Sequence, residues 1–270
     1  IIMKNILFAL ALLISFISFG QTAEGYFDSG NDKAEAKDYY GSIADYTKAI
    51  EINPNYALAY TNRGISKKKL KDYYGSIADY TKAIEINPNY ALAYYNRGSS
   101  KNKLKDYYGA IADFTKAIEI NPNYAKAYSN RGSSKNKLKD YYGAIADYTK
   151  AIEINPNFAK AYTNRGISKK KLKDYYGAIA DYTKAIEINP NFAKAYTNRG
   201  ISKDYLKDYY GAIADFTKAI EINPNYALAY SNRGSSKRNL GNLNGACVDW
   251  KKAAALGNKI AAEWVAKDCN

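Results

Sequence analysis

Hydrophobic and polar positions repeat along this chain with a period of 34 residues. All six prolines, from Pro54 to Pro224, stand 34 residues apart, and each lies in the string Ile-Asn-Pro-Asn followed by Tyr or Phe. With the third residue after a proline taken as column 1, seven full units begin at positions 23, 57, 91, 125, 159, 193 and 227, and an incomplete eighth begins at 261. A fixed period of this length is typical of chains built from one repeated supersecondary unit.

Each unit is expected to form two helices. In residues 57–90, a first segment (ALAYTNRGISKKKL) and a second (YGSIADYTKAIEI) flank the tripeptide at 71–73. Apolar side chains of the second helix recur three and four residues apart and so form one stripe: Tyr73, Ile77, Tyr80 and Ile84. Pro88 ends that helix, because it has no amide hydrogen for the helical ladder and disfavours helical geometry at the residue before it.

Unit two combines small residues at columns 8, 20 and 27 with aromatic residues at columns 4 and 24 and a proline at column 32: Tyr60, Gly64, Ser76, Tyr80, Ala83 and Pro88. In this pattern the chain resembles the tetratricopeptide repeat family over residues 23–260. The resemblance implies an all-α fold, a right-handed α-solenoid (superhelix) of helix-turn-helix repeats. It assigns residues 21–260 to seven repeats and residues 261–270 to a C-terminal capping helix.

Two columns depart from the family pattern. Column 11, usually aromatic, is lysine in units two to seven, and column 7, usually a buried leucine, is arginine: Arg63, Arg97, Arg131, Arg165, Arg199 and Arg233. The core between the helices is therefore expected to be thin, with each arginine stem over apolar surface and its charged head at the edge. A carboxylate partner such as Asp79 or Asp113 stays open at this point.

The two end units differ from the others, as the terminal units of a repeat stack must. Unit one carries Asp32 and Glu35 toward solvent, and the helix expected over residues 261–269 places Trp264 at column 4. Cys247 and Cys269 are the only cysteines, and in an exported protein they are expected to form a disulfide that fastens this last helix to unit seven. Two free thiols are the alternative.

The amino terminus has the features of a secretory signal peptide. Fourteen mainly apolar residues, Ile6 to Phe19, follow Lys4, whereas a spanning helix needs about 20. Residues 1–20 are therefore expected to be removed by cleavage after Gly20, or alternatively after Ala23, and the mature protein to be periplasmic or secreted from a bacterium. An uncleaved membrane anchor is the alternative.

Comparison of the copies points to a binding surface. Among units two to six, first-helix differences are confined to columns 2, 5, 9, 12 and 13. Units four and five differ at only three positions: Ser129/Thr163, Ser133/Ile167 and Asn136/Lys170. This spacing corresponds to one helix face, and the resemblance implies that this face lines a concave channel that holds peptides.

Column 6, beside the variable columns, is asparagine in units two to seven: Asn62, Asn96, Asn130, Asn164, Asn198 and Asn232. An amide offers both a donor and an acceptor, so a ladder of asparagines suits the backbone of an extended peptide. The alternative is that each asparagine only bonds the neighbouring helix.

Lysine occupies column 2 in the middle units, at Lys126, Lys160 and Lys194, and the chain carries a net charge of +14. We therefore expect a channel that is basic at its middle and a partner that is acidic. The alternatives are a solvated lysine face and a charge set by AT-rich codons.

Composition excludes several chemistries. The chain has no histidine, so no histidine base or histidine metal ligand exists. Its regularly placed carboxylates are each repeated several times, so no single catalytic pair stands out. The sequence predicts a non-catalytic scaffold for a protein or peptide partner, with no cofactor and no metal. The alternative is a basic surface that adheres to an anionic cell-envelope polymer. Nucleic acid is disfavoured by export.

Overall fold

The computed structural model describes residues 22–269. These residues form fifteen helices and no strand, which confirms the predicted all-α fold of tandem helix-turn-helix repeats. The signal peptide expected over residues 1–20, with its cleavage site, lies outside the described residues. Among the residues described, no helix combines the length and the hydropathy needed to cross a bilayer.

The chain divides into two compact parts, residues 1–134 and residues 135–270. We call these parts the first unit and the second unit, whereas the 34-residue repeats keep their numbers as units one to seven. The helices of the first unit are α1 (Ala23–Glu35), α2 (Tyr39–Ile52), α3 (Ala57–Lys69), α4 (Tyr73–Ile86), α5 (Ala91–Lys103) and α6 (Tyr107–Ile120), and α7 (Ala125–Lys137) contains the boundary. From α1 to α6 each helix packs against the next, and the first helices α1, α3 and α5 also contact one another in order.

The second unit follows the same plan. Its helices are α8 (Tyr141–Ile154), α9 (Ala159–Lys171), α10 (Tyr175–Ile188), α11 (Ala193–Tyr205), α12 (Tyr209–Ile222), α13 (Ala227–Asn239), α14 (Leu243–Ala255) and α15 (Lys259–Asp268). Each packs against the next, and the first helices α9, α11 and α13 contact one another in order.

Column 16 aspartates set the start of the second helices. Asp72 accepts a hydrogen bond from the amide of Gly75 at 2.9 Å, so helix α4 begins at Tyr73, a residue expected in the connection. Lys71 before it has a φ of 66°, in the left-handed region, and Gly241 takes the same column in unit seven with a φ of 80°. A lysine in this conformation costs about 1 kcal/mol relative to glycine.

The small residues at columns 8, 20 and 27 allow close helix packing, as predicted. A Cβ atom at Gly64 would lie 2.7 Å from the Tyr80 ring, which is too close for any side chain. Ser76 and Ala83 are also fully buried, and Ser76 Oγ donates to Ser100 Oγ of helix α5 at 2.9 Å. The Tyr80 ring at column 24 therefore packs closely against the first helix at Gly64.

The column 7 arginines do not place their heads at the edge, and this expectation was wrong. Arg165 binds both carboxylate oxygens of Asp181, at 2.7 and 3.0 Å, and donates to Thr149 Oγ1 at 3.0 Å. Lys169 at column 11 binds the same carboxylate at 2.9 Å. The Arg165 side chain is 17% exposed and that of Asp181 4% exposed, with the guanidinium 5.6 Å from the centre of the Tyr162 ring. The arrangement joins α8, α9 and α10, and we call it the arginine cluster.

The same bidentate pair recurs in other repeats: Arg63–Asp79, Arg97–Asp113, Arg199–Asp215 and Arg233–Asp249. Unit one has no arginine at column 7. There Ser29 and Lys33 both donate to Asp45. Burial alone would raise the pKa of Asp45, but the hydrogen bonds from these two residues lower it below its ordinary value. The space that leucine fills in the family pattern is thus filled by a charged network.

The last helix closes the second unit. It begins at Lys259, two residues before the expected start, because Asn258 Oδ1 accepts a hydrogen bond from the amide of Ala261 at 2.9 Å. Trp250 and Trp264 pack with ring centres 5.1 Å apart. Cys247 and Cys269, the two predicted partners, lie at disulfide-bonding distance from each other.

We expect Asp181→Asn to lower the free energy of unfolding by about 3 kcal/mol or more, because Arg165 and Lys169 would then be two inward cations without an anion. The matched control on the same helix is Glu187→Gln, which removes the exposed pair with Lys184 and should cost less than about 1 kcal/mol. Urea unfolding followed by circular dichroism measures both. Equal losses would show that the arginine cluster is dispensable.

Reduction of the Cys247–Cys269 bond should destabilise the end of the second unit by about 3 kcal/mol. The bond restricts the unfolded chain, and its removal returns that conformational entropy to the unfolded state. Hydrogen exchange of α14 and α15 with and without reductant measures the change. Two thiols that react in unfolded, unreduced protein would show that the bond does not form.

Candidate functional site

In each unit the first helices present a partly exposed surface, which we call the first-helix face and define by columns 2, 6, 9, 12 and 13. Column 5, the remaining variable column, does not belong to it. Thr61 and Thr163 at this column are at most 1% exposed, and Thr163 Oγ1 donates to the backbone oxygen of Ala159 at 3.0 Å. The expectation that all five variable columns share one exposed surface is therefore wrong for column 5, where substitutions change packing.

The predicted column 2 lysines lie on this face and are exposed to solvent. Lys126 is exposed in the first unit, and Lys160 and Lys194 are exposed in the second. Among the described residues none of the three forms an ion pair. By contrast, lysines at column 26 of the second helices pair with glutamates three residues later, as Lys82 does with Glu85 at 3.0 Å. Positive charge at column 26 is thus paired in units two to six, whereas the column 2 lysines of the first-helix face are left without a carboxylate partner.

The predicted asparagines are not equivalent. In the first unit, three of them bond a side chain of the preceding first helix: Asn62 to Asn31 at 2.9 Å, Asn96 to Lys68 at 3.1 Å and Asn130 to Tyr95 at 3.0 Å. The alternative of a bond to the neighbouring helix therefore applies to these three. Each of these contacts engages one end of the amide.

In the second unit the asparagines range from fully hydrogen-bonded to unbonded. Asn198 uses both ends of its amide, accepting from Lys170 Nζ at 3.1 Å and donating to the backbone oxygen of Lys194 at 3.0 Å. The Asn164 side chain makes no hydrogen bond with any described residue, and the buried Nδ2 of Asn232 has no partner there either. Asn164 and Asn232 therefore keep hydrogen-bonding capacity for a ligand.

Column 12, one of the variable columns, lies in the groove between successive first helices, and its burial did not follow from the sequence pattern. Lys68 and Lys170 at this column are half-buried. Burial, and to a smaller extent repulsion by the nearby Lys69 and Lys103, lower the pKa of Lys68 to about 8. Burial and the neighbouring Lys171 lower the pKa of Lys170 to about 8. The available signal was that column 12 alternates among lysine, asparagine and aspartate between otherwise similar copies.

Two cavities open on the first-helix face, one in each unit. Between α1 and α3, a cavity of about 410 Å³ is lined by Asn31, Glu35, Tyr46, Asn62 and Lys69 among others. Burial raises the pKa of Tyr46 to about 12, so its hydroxyl stays protonated and donates to Asn31 at 2.8 Å.

The second cavity, of about 130 Å³, lies between α11 and α13 and includes Asn232 in its lining. Together the two cavities offer amide and hydroxyl groups to a ligand. Within residues 22–269, no three acidic, cysteine or histidine side chains are grouped so as to hold a metal ion.

Comparison with known families and structures supports the repeat assignment. A family model described as Tetratricopeptide repeat matches residues 57–90, 91–124, 125–158, 159–192 and 193–226. No curated protein matches the sequence significantly.

Several solved structures are similar to this chain. YrrB, described as a TPR protein with an unusual peptide-binding site, is 27% identical, with a TM-score of 0.58 over 68% of this chain and 95% of its own. MamA is 28% identical, with a TM-score of 0.59 over 65% of this chain and 96% of its own. A tetratricopeptide repeat protein from Parabacteroides merdae shares the fold at 22% identity, with a TM-score of 0.69 over 92% of this chain and 99% of its own.

Proposed function

The chain belongs to the tetratricopeptide repeat family, and from that premise we propose that it is a non-catalytic scaffold that binds an extended acidic peptide segment along its first-helix face. A protein–protein interaction scaffold is the function that its repeats and its similarity to YrrB and MamA support. The acidic character of the peptide and its location are the parts that we add.

The observation that carries the proposal is the distribution of unpaired charge. Lysines at column 2 are exposed on the first helices without a carboxylate partner, whereas the column 26 lysines of units two to six pair with a glutamate, as Lys184 and Lys218 do at 2.9 Å. An acidic segment would gain more from the first-helix face than from the second helices.

Hydrogen-bonding groups on the same face support a peptide as the ligand. The Asn164 side chain makes no hydrogen bond with a described residue that would be lost on binding, and an amide can bond the N–H or the C=O of a peptide backbone. The charged residues of the arginine clusters are paired with one another around a buried aspartate, which assigns them a structural role.

The experiment is a selection of displayed random peptides on the mature protein, followed by fluorescence anisotropy with the selected peptide. We expect the selected sequences to be enriched in Asp and Glu. Asn164→Ala should weaken binding roughly fivefold, the loss of one net hydrogen bond of about 1 kcal/mol. Lys160→Glu with Lys194→Glu should weaken it further and reduce its salt dependence.

The matched control is Lys173→Glu with Lys207→Glu. These two lysines lie at column 15 in the same hairpins, are exposed and change the net charge by the same amount. The anionic-polymer alternative expects both charge reversals to weaken binding alike, because it needs only net charge. Equal losses from the two double variants, with no effect of Asn164→Ala on a folded protein, would contradict the peptide proposal.

We also propose that the protein is exported, on the basis of the apolar run from Ile6 to Phe19 behind Lys4. N-terminal sequencing of the protein from the periplasm or medium of expressing bacteria should give Gln21 as the first residue. Recovery of uncleaved chain in the membrane fraction would support an anchor instead.

A further inference from the structure

Each unit contains one lysine on the first-helix face that is half-buried and has only a neutral partner. Lys68 of α3 donates to Asn96 Oδ1 of α5 at 3.1 Å, and Lys170 of α9 donates to Asn198 Oδ1 of α11 at 3.1 Å. Among the described residues neither ammonium contacts a carboxylate.

The adjacent lysines each have the carboxylate partner that Lys68 and Lys170 lack. Lys67 binds the carboxylate of Asp79 at 2.8 Å, and Lys169 binds that of Asp181 at 2.9 Å. One position further along the helix, Lys68 and Lys170 point to an amide oxygen instead. An amide oxygen satisfies one donor of an ammonium group but leaves its charge uncompensated.

The charges around Lys68 add to this imbalance. Lys69 on the same helix and Lys103 on α5 both repel it, and the pair Lys67–Asp79 on the side of α4 is already closed. Glu35 of α1 lines the neighbouring cavity with Lys69. The groove at Lys68 therefore carries net positive charge.

The second unit has the same arrangement around Lys170, with one change. Lys171 repels Lys170 from the same helix, and the pair Lys169–Asp181 is closed toward α10. The position that corresponds to Lys103 is Tyr205, which stacks on Tyr175 at 4.9 Å. Asp204 of α11 accepts a hydrogen bond from Ser236.

We infer that Lys68 with Asn96, and Lys170 with Asn198, form two carboxylate-binding subsites, each of which takes one carboxylate of the bound peptide. The inference rests on the proposed peptide-binding function and specifies where along the first-helix face an acidic group lies. Both an aspartate or glutamate side chain and a free chain end carry this carboxylate, and the probes below distinguish them.

The other repeats supply a natural reference for these subsites. Column 12 is Asn102 in unit three, where it accepts a hydrogen bond from Ser134 Oγ at 3.1 Å, and Asn136 in unit four, where it donates to Ser168. The serine at column 10 that serves as this partner is present after Lys68 and Lys170 as well, at Ser100 and Ser202. Lys68→Asn and Lys170→Asn therefore copy a linkage that the chain already uses, so the variants should fold.

The subsites also predict the direction of a pH effect. Burial and the neighbouring lysines lower the pKa of both free lysines to about 8, and a bound carboxylate would raise it again. Binding of a carboxylate then requires the protonated lysine, and in the free protein Lys68 and Lys170 lose this proton as the pH rises through about 8. Affinity should fall roughly tenfold or more between pH 7 and pH 9.5, a range in which the peptide carboxylates stay ionised.

The test uses fluorescein-labelled oligoglutamate with either a free or an amidated carboxyl end, titrated by anisotropy against the mature protein. The single variants Lys68→Asn and Lys170→Asn should each weaken binding roughly tenfold, the loss of one charge-assisted hydrogen bond. The double variant should also lose the pH dependence above pH 7. Equal binding of both probes assigns both subsites to side chains, whereas weaker binding of the amidated probe than of the free one assigns one of the two subsites to the chain end.

The control is Lys71→Asn with Lys173→Asn, which removes the same charge at exposed positions whose left-handed conformation asparagine tolerates. A control variant that weakens binding as much as the subsite variant, or a pH profile that the double variant retains, would overturn the subsites while leaving the proposed function intact. Absence of oligoglutamate binding to the unmodified protein at low salt would contradict both.

Discussion

The arginine cluster is the interaction on which the repeat depends. In each copy that has it, a guanidinium group holds the column 23 carboxylate of its own repeat with two hydrogen bonds and reaches the column 25 threonine of the preceding repeat, as Arg165 does with Asp181 and Thr149. One side chain thus joins three helices. Because fixed donor geometry replaces the adaptable packing of leucine, the spacing of the helices is set by hydrogen-bond length.

This cluster also determines where charge remains for a partner. The column 7 arginine and the column 11 lysine pair with the column 23 aspartate in the cluster. On the second helices, column 26 lysines such as Lys184 pair with glutamate. The lysines that have no carboxylate partner among the described residues include those at columns 2 and 15 and, in the grooves, Lys68 and Lys170. Structural charge and binding charge are therefore separated by position in the repeat, although both use the same residue type.

The asparagine column shows the limit of a residue-by-residue expectation. Six identical residues on one face suggest six equal contacts, yet Asn62, Asn96 and Asn130 bond the preceding helix while Asn164 does not. The difference lies in the neighbour that each one meets. Asn96 meets Lys68, whereas Asn164 follows Asn136, which is engaged with Ser168.

The 34-residue period, the proline breaks and the small residues at columns 8, 20 and 27 determined the all-α fold and the helix order by themselves, because these depend on local geometry and on spacing along the chain. The sequence also indicated the exposed column 2 lysines and the pairing of the two cysteines. Tertiary structure alone decided that the arginines turn inward to Asp79 and its equivalents, that column 5 is buried and that Lys68 meets an amide. These features depend on contacts between residues on different helices, 16 residues apart for Arg63 and Asp79 and 28 for Lys68 and Asn96, and the distances across them are fixed only when the helices pack.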